Sequence, residues 1–204
     1  MSTTTPTTSS RKLTLADIAD LRAYERERQA FREQVIELKR RRRVAVGTIV
    51  TFVFENRDTI RFQIQEMARV EKLISDAAIE NELRAYNPLI PEPGTLCATL
   101  FIELTSKESL MEWLPKLVGI ERAVRLRLSD GTVVAAVPDE GHDSQLTRDD
   151  VTASVHYVRF ELTPAQVDAF GAGPVTLAIE HPAYGEDVEL APFTHDELLR
   201  DLRP

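Results

Sequence analysis

Two spacings of apolar residues alternate along the chain. Leu21, Tyr24, Phe31, Val35 and Leu38 recur at three- and four-residue steps, with Arg28 in the same register, which predicts a helix running to about Arg40. Thr14 with Asp17 three positions on predicts its N-terminus, and Leu13 and Ile18 are placed as a hydrophobic staple. Its other faces are dense with Arg and Glu at i,i+3 and i,i+4 spacing, a solvated pattern. Two heptads are too few to specify a coiled coil, so the stripe packs on the protein's own sheet or on a second copy. The run 44–54 is β-branched and aromatic and predicts a buried strand. In 95–104, Leu96, Ala98, Leu100, Ile102 and Leu104 share one face of a strand, and Cys97, Thr99 and Phe101 share the other.

The stretch FENRDTIRFQIQEMARVEKLI, residues 54–74, supports both periods. Ile60, Phe62 and Ile64 alternate with Arg61, Gln63 and Gln65 as in a strand, whereas Ile60, Ile64, Met67, Val70 and Ile74 form a helical stripe. Asn56 as a cap and Asp58 in the first turn favour a helix over 57–75. On that helix Gln63, Met67 and Glu71 share a face, with Arg57 one turn behind Ile60. Glu71 then falls inside the apolar stripe, where a carboxylate needs an arginine, a hydroxyl or a ligand. Arg28 of the first helix is a candidate structural partner.

Further on, Asp76 can cap a short helix stopping by Asn87, before an extended loop set by Pro88, Pro91 and Pro93. Ser106 can cap another containing Leu110, Met111 and Trp113, which Pro115 ends or distorts. Asp130-Gly131 predicts a hairpin of strands 123–129 and 132–137. Residues 138–150 read as an acidic loop and 153–162 as a strand. Thr163, Pro164 and Gln166 open a helix that Gly171 ends. Residues 174–180 and 187–190 form a second antiparallel pair, and Thr194 with Glu197 starts a terminal helix. Strands in sequential runs without regular βα alternation predict an α+β fold: a mainly antiparallel sheet, a long N-terminal helix and further helices packed on it. Residues 1–12 read as a disordered Ser/Thr-rich tail and 13–204 as a single domain.

Composition narrows the function classes. The 204 residues carry 33 acids against 25 bases, a net charge of -8, which argues against general affinity for nucleic acid or anionic membranes. The short basic run Lys39–Arg43 is better read as cations at a helix C-terminus than as a nucleic-acid footprint. One cysteine, Cys97, leaves no intrachain disulfide, and a cytoplasmic setting is expected from that and from the polar N-terminus. Phosphate-binding glycine loops and the G-x-S-x-G elbow are both missing. His142, His181 and His195 fall in positions where solvent exposure or an ordinary loop is the default. His156 lies on a strand face with Val158, Phe160 and Leu162, the place of a hydrogen-bonded core histidine. No cofactor or metal is expected. The candidate polar site comprises Gln63, Glu71, Arg28, Arg57 and His156.

With FENRDTIRFQIQEMARVEKL, YNPLIP and SVHYVRFEL, the chain resembles a bacterial family of unknown function over nearly everything after the tail. The genes of that family neighbour a rubrerythrin and a heterodisulfide-reductase-like iron–sulfur protein, so the resemblance implies a redox or oxidative-stress setting. It carries no established catalytic residues. The chain lacks the cysteine clusters of iron–sulfur centres and the paired Glu-x-x-His motifs of a di-iron bundle. The expected role is therefore a non-catalytic, homo-oligomeric accessory or adaptor with a redox protein partner. The alternative is a small-molecule or metal-binding protein, or an enzyme, with a polar pocket around Glu71, Gln63 and His156.

Overall fold

The computed structural model describes residues 11–139 and 150–203. His142 and most of the expected acidic loop lie outside the described residues. The architecture is α+β, with two antiparallel sheets and a long N-terminal helix. The first sheet has the order β1 (Arg43–Val46), β2 (Val50–Phe54), β3 (Thr95–Ile102), β7 (Val155–Glu161), β6 (Val137–Pro138). The second has the order β5 (Val133–Ala135), β4 (Val124–Arg127), β8 (Thr176–His181), β9 (Tyr184–Glu189).

Strand alternation decides what each face meets. Phe52, Phe54, Leu100, Val158 and Phe160 from the first sheet join Val124, Leu126, Leu177 and Ile179 from the second in one apolar core. The far face of the second sheet carries a charge ladder, in which Arg127 bonds Glu180 at 2.8 Å and Asp187 at 2.9 Å. The far face of the first sheet bears Thr51, Val53, Cys97, Thr99 and Tyr157, and is covered by helices α1 (Leu21–Arg42), α2 (Arg57–Glu71) and α3 (Asp76–Tyr86). Their packing forms a smaller apolar cluster of Leu13, Ile60, Ile64, Leu83, Leu89 and Ile90. Phe31 of α1 meets Phe62 of α2 edge to face at 5.7 Å, with the Arg61 guanidinium over the Phe31 ring. The remaining helices are α4 (Lys107–Trp113), α5 (Pro164–Ala172) and α6 (Pro192–Leu202). No described helix is long and apolar enough to cross a membrane.

Several local expectations need correcting. The Thr14–Asp17 capping box closes only a 3-10 turn, Leu15–Asp17; the long helix starts afresh at Leu21, where the Asp20 side chain accepts the Ala23 N–H. It runs to Arg42, whose guanidinium is buried and forks onto Asp201 of α6 at 2.6 and 3.1 Å. The apolar run 44–54 is two strands, not one. Gly47, at φ 67°, turns the chain between them, and a Cβ there would stand 2.3 Å from the Tyr184 hydroxyl. That hydroxyl donates to the Val46 carbonyl at 2.8 Å and accepts the Ile49 N–H at 3.2 Å, tying β9 to this turn. The Asp130-Gly131 hairpin forms, but its second strand splits at Ala136, and Val137 crosses into the first sheet. The last helix begins at Pro192, so Thr194 sits inside its first turn and is buried instead of capping.

Residues 54–74 resolve in favour of the helix. The Asn56 side chain accepts the N–H groups of Asp58 and Thr59, and Thr59 closes the box from the other side. The helix stops at Glu71 because Lys72 takes a left-handed conformation, φ 55°, four residues before the expected end. Ile60 and Ile64 are buried, whereas Val70 and Ile74 are 68% and 87% exposed, so the apolar stripe outruns the surface it packs on.

Candidate functional site

The five candidate residues of the sequence are not brought together. Glu71 is exposed at the last position of α2 and neighbours the Glu82 carboxylate, which burial chiefly, and then the Glu71 charge, push up. It is not an acid trapped in a stripe. The acid of α2 that finds Arg28 is Glu66, in a fork of 2.7 and 2.9 Å, and Tyr24 donates to the same carboxylate at 2.7 Å. Arg28 and Tyr24 hold the Glu66 carboxyl below its ordinary range. Arg57 pairs with Asp17 in the 3-10 turn. These are clamps between the N-terminal segment and α2.

His156 faces the opposite side of the first sheet from Gln63. Its Nε2 lies 2.9 Å from both the Thr152 hydroxyl and the Ala153 carbonyl. A carbonyl only accepts, which assigns a proton to Nε2. Nδ1 then faces Glu121 Oε2 at 3.9 Å, beyond hydrogen-bond reach. Glu121 comes from the 3-10 turn Ile120–Arg122; Arg122 Nε stands 3.4 Å from its Oε1, and Oε2 is buried with no hydrogen-bond partner among the described residues. Both side chains are about fully enclosed, so this is a closed pair and not an entrance.

Gln63 leads to a different place. A cleft of about 160 Å³ opens between α2, α3 and the helix-covered face of the first sheet. Glu55, Thr59, Gln63, Thr99, Tyr86 and Tyr157 supply its polar lining, and Lys39 from the last turn of α1 joins them. Glu55 directly follows β2 in the alternation of Thr51 and Val53, and its backbone N–H extends the ladder to Cys97 at 2.8 Å. It is only 7% exposed, and Thr99 donates to its Oε1 at 2.6 Å. Among the described residues it has no cationic partner. Burial chiefly, and then the neighbouring Tyr86, Glu55 and Asp139, push the Tyr157 phenol up to about 12. At neutral pH it is therefore a phenol that can donate a hydrogen bond, in surroundings that already carry negative charge.

Glu55, Thr99, Tyr86, Tyr157 and Lys39 were not among the sequence candidates. One signal was available. Extending the period of two past Phe54 places Glu55 on the same face as Thr51 and Val53, and that face meets helices. Cys97 lies on this face too, buried, with its thiol pushed up to about 11 by burial despite the nearby Arg159. Among the described residues, no three His, Cys, Asp or Glu side chains gather as metal ligands do.

Residues 12–202 match the family described as "Protein of unknown function (DUF3501)". The chain belongs to this family. It is also similar to a crystal structure of a novel protein of unknown function from Burkholderia pseudomallei K96243. The two are 37% identical, the match covers 94% of this chain and 99% of that one, and the TM-score is 0.86. No curated protein matches the chain.

Proposed function

We propose that this DUF3501 chain acts by binding, as a non-catalytic accessory protein, and that its binding site is the cleft over Glu55. The observation that carries the reading is a buried carboxylate in the lining of an open cleft, held by a single hydroxyl and without a counter-charge among the described residues. Leaving a charge in that state costs free energy, and a ligand that neutralises it recovers the cost. Gln63, a candidate from the sequence, stays in this site; Glu71 and His156 do not. The redox or oxidative-stress setting rests on the family resemblance.

The proposal includes a cytoplasmic location, one domain over 13–204, and self-association through the exposed Val70 and Ile74 at the end of α2. Light scattering tests the last point, and a monomer at high concentration removes it. The binding role itself is tested by a thermal-shift screen of small polar metabolites on the wild type and on Gln63→Trp, which places an indole in the cleft. The expected result is a compound that raises the melting temperature of the wild type but not of the variant. A broad library without such a compound would count against the cleft. Recovery of no redox protein in pull-downs under peroxide stress would remove the redox setting and leave the cleft.

A further inference from the structure

The cleft carries two charges, and no described residue neutralises either. Glu55 lines it at the end of β2, and Lys39 lines it from the C-terminal turn of α1. Among the described residues, neither makes an ion pair, with each other or with any third group. Nearby charges elsewhere in the molecule behave differently. Arg28 takes Glu66, Arg57 takes Asp17, Arg61 takes Glu27 and Arg69 takes Glu25. A carboxylate and an ammonium left apart in one small concavity are the complement of a ligand that carries both charges itself.

The rest of the lining fits the same ligand. Tyr86, Phe101 and Tyr157 place aromatic rings around the cleft, and ring faces attract an ammonium group. Gln63 supplies both a donor and an acceptor. A volume of about 160 Å³ corresponds to roughly five waters at about 30 Å³ each, well below the range of drug-sized pockets. It suits a molecule of five to seven heavy atoms, by that order-of-magnitude reckoning.

We propose that the cleft binds a small amino acid as its zwitterion, with the ammonium on Glu55 between the aromatic rings and the carboxylate on Lys39. This rests on the reading of the cleft as a binding site and names its ligand class. An anion alone would meet Glu55, and a cation alone would meet Lys39, so the pair of charges selects against each half of the ligand as well as for the whole.

The test is an NMR titration of the full chain, following the ring signals of Tyr86 and Tyr157. The probes are glycine, alanine, serine and β-alanine, with ethylamine and propanoate as the two halves of alanine and propane-1,2-diol as an uncharged control. At least one amino acid is expected to bind tenfold or more tighter than ethylamine or propanoate, since each charge-assisted bond is worth about a factor of ten or more. Glu55→Gln, which keeps an acceptor for Thr99, should weaken the amino acid and ethylamine by about tenfold and leave propanoate unharmed. Lys39→Met should weaken the amino acid and propanoate and leave ethylamine unharmed, at the same order of effect. Both variants should melt close to the wild type, which separates lost binding from lost folding.

Equal affinity for ethylamine and every amino acid would overturn the assignment, because Lys39 would then recognise nothing. Binding of the diol or propanoate alone would overturn it and leave the cleft as a site for another class. If none of these probes binds, the assignment falls; the wider metabolite screen on wild type and Gln63→Trp then decides whether the cleft reading falls with it.

Discussion

The first sheet has a buried carboxylate against each of its faces, and the two are treated differently. Glu121 lies on the side of the second sheet, with His156 Nδ1 at 3.9 Å and Arg122 Nε at 3.4 Å. Glu55 lies on the side of α1, α2 and α3, with the Thr99 hydroxyl at 2.6 Å and an open cleft beyond it. Their burial is similar, 2% and 7% exposed, so burial alone does not separate scaffold from site. What separates them is who supplies the opposite charge. For Glu121 it is the protein's own Arg122; for Glu55 nothing in the described structure does so.

The largest expected effect comes from breaking the closed pair. His156→Leu removes the bonds to Thr152 and Ala153 and sets hydrocarbon against the buried Glu121 Oε2, and should cost about 3 kcal/mol in denaturant unfolding, the usual order for stripping a buried polar contact beside a charge. A loss well under about 1 kcal/mol would show that Glu121 does not depend on His156. A smaller loss is expected at the open site. Thr99→Val removes the one hydroxyl on Glu55, but the cleft admits water in its place, so about 1 kcal/mol should be lost.

The last effect is a pH dependence, visible only in alkali. A phenol raised in the folded state contributes stability that is complete below its unfolded value, near 10, and is lost as the pH rises through the folded value of about 12. Tyr157→Phe should therefore flatten the fall in stability between about pH 10 and 12. Glu55→Gln should lower the ionisation midpoint of Tyr157 in an ultraviolet titration, because the Glu55 charge is one of the groups that raise it. An unmoved midpoint would mean that the Glu55 charge is screened from the cleft.

Much of the fold was legible in residue spacing, and less of the site. The helix over residues 54–74 followed from Asn56, Asp58 and the period of Ile60, Ile64 and Met67, because caps and periodicity are local properties of the chain. Its end was not legible, since Lys72 turns left-handed without a glycine to announce it. The hairpin at Gly47 was hidden because both its strands are apolar, and a continuous apolar run looks the same with or without a turn inside it. Glu71 attracted attention through a stripe that does not stay buried; whether a stripe is covered depends on what packs there, which spacing along one element does not encode. Glu55 was missed for the complementary reason. It is one acid after a strand, and it becomes distinctive only when Thr99, Tyr157 and Gln63 converge on it from three other elements.

The comparison of the two carboxylates is tested most directly by thermal unfolding of Glu55→Ala and Glu121→Ala side by side, without ligand. Glu121→Ala takes the acid from Arg122 and leaves a hole beside His156 in the core, and should lose about 3 kcal/mol, or roughly 6–12 °C for a chain of this length. Glu55→Ala relieves an unneutralised buried charge and should melt within about 3 °C of the wild type, or above it. Equal and large losses in the two variants would show that Glu55 is as much a part of the scaffold as Glu121, and would contradict the account.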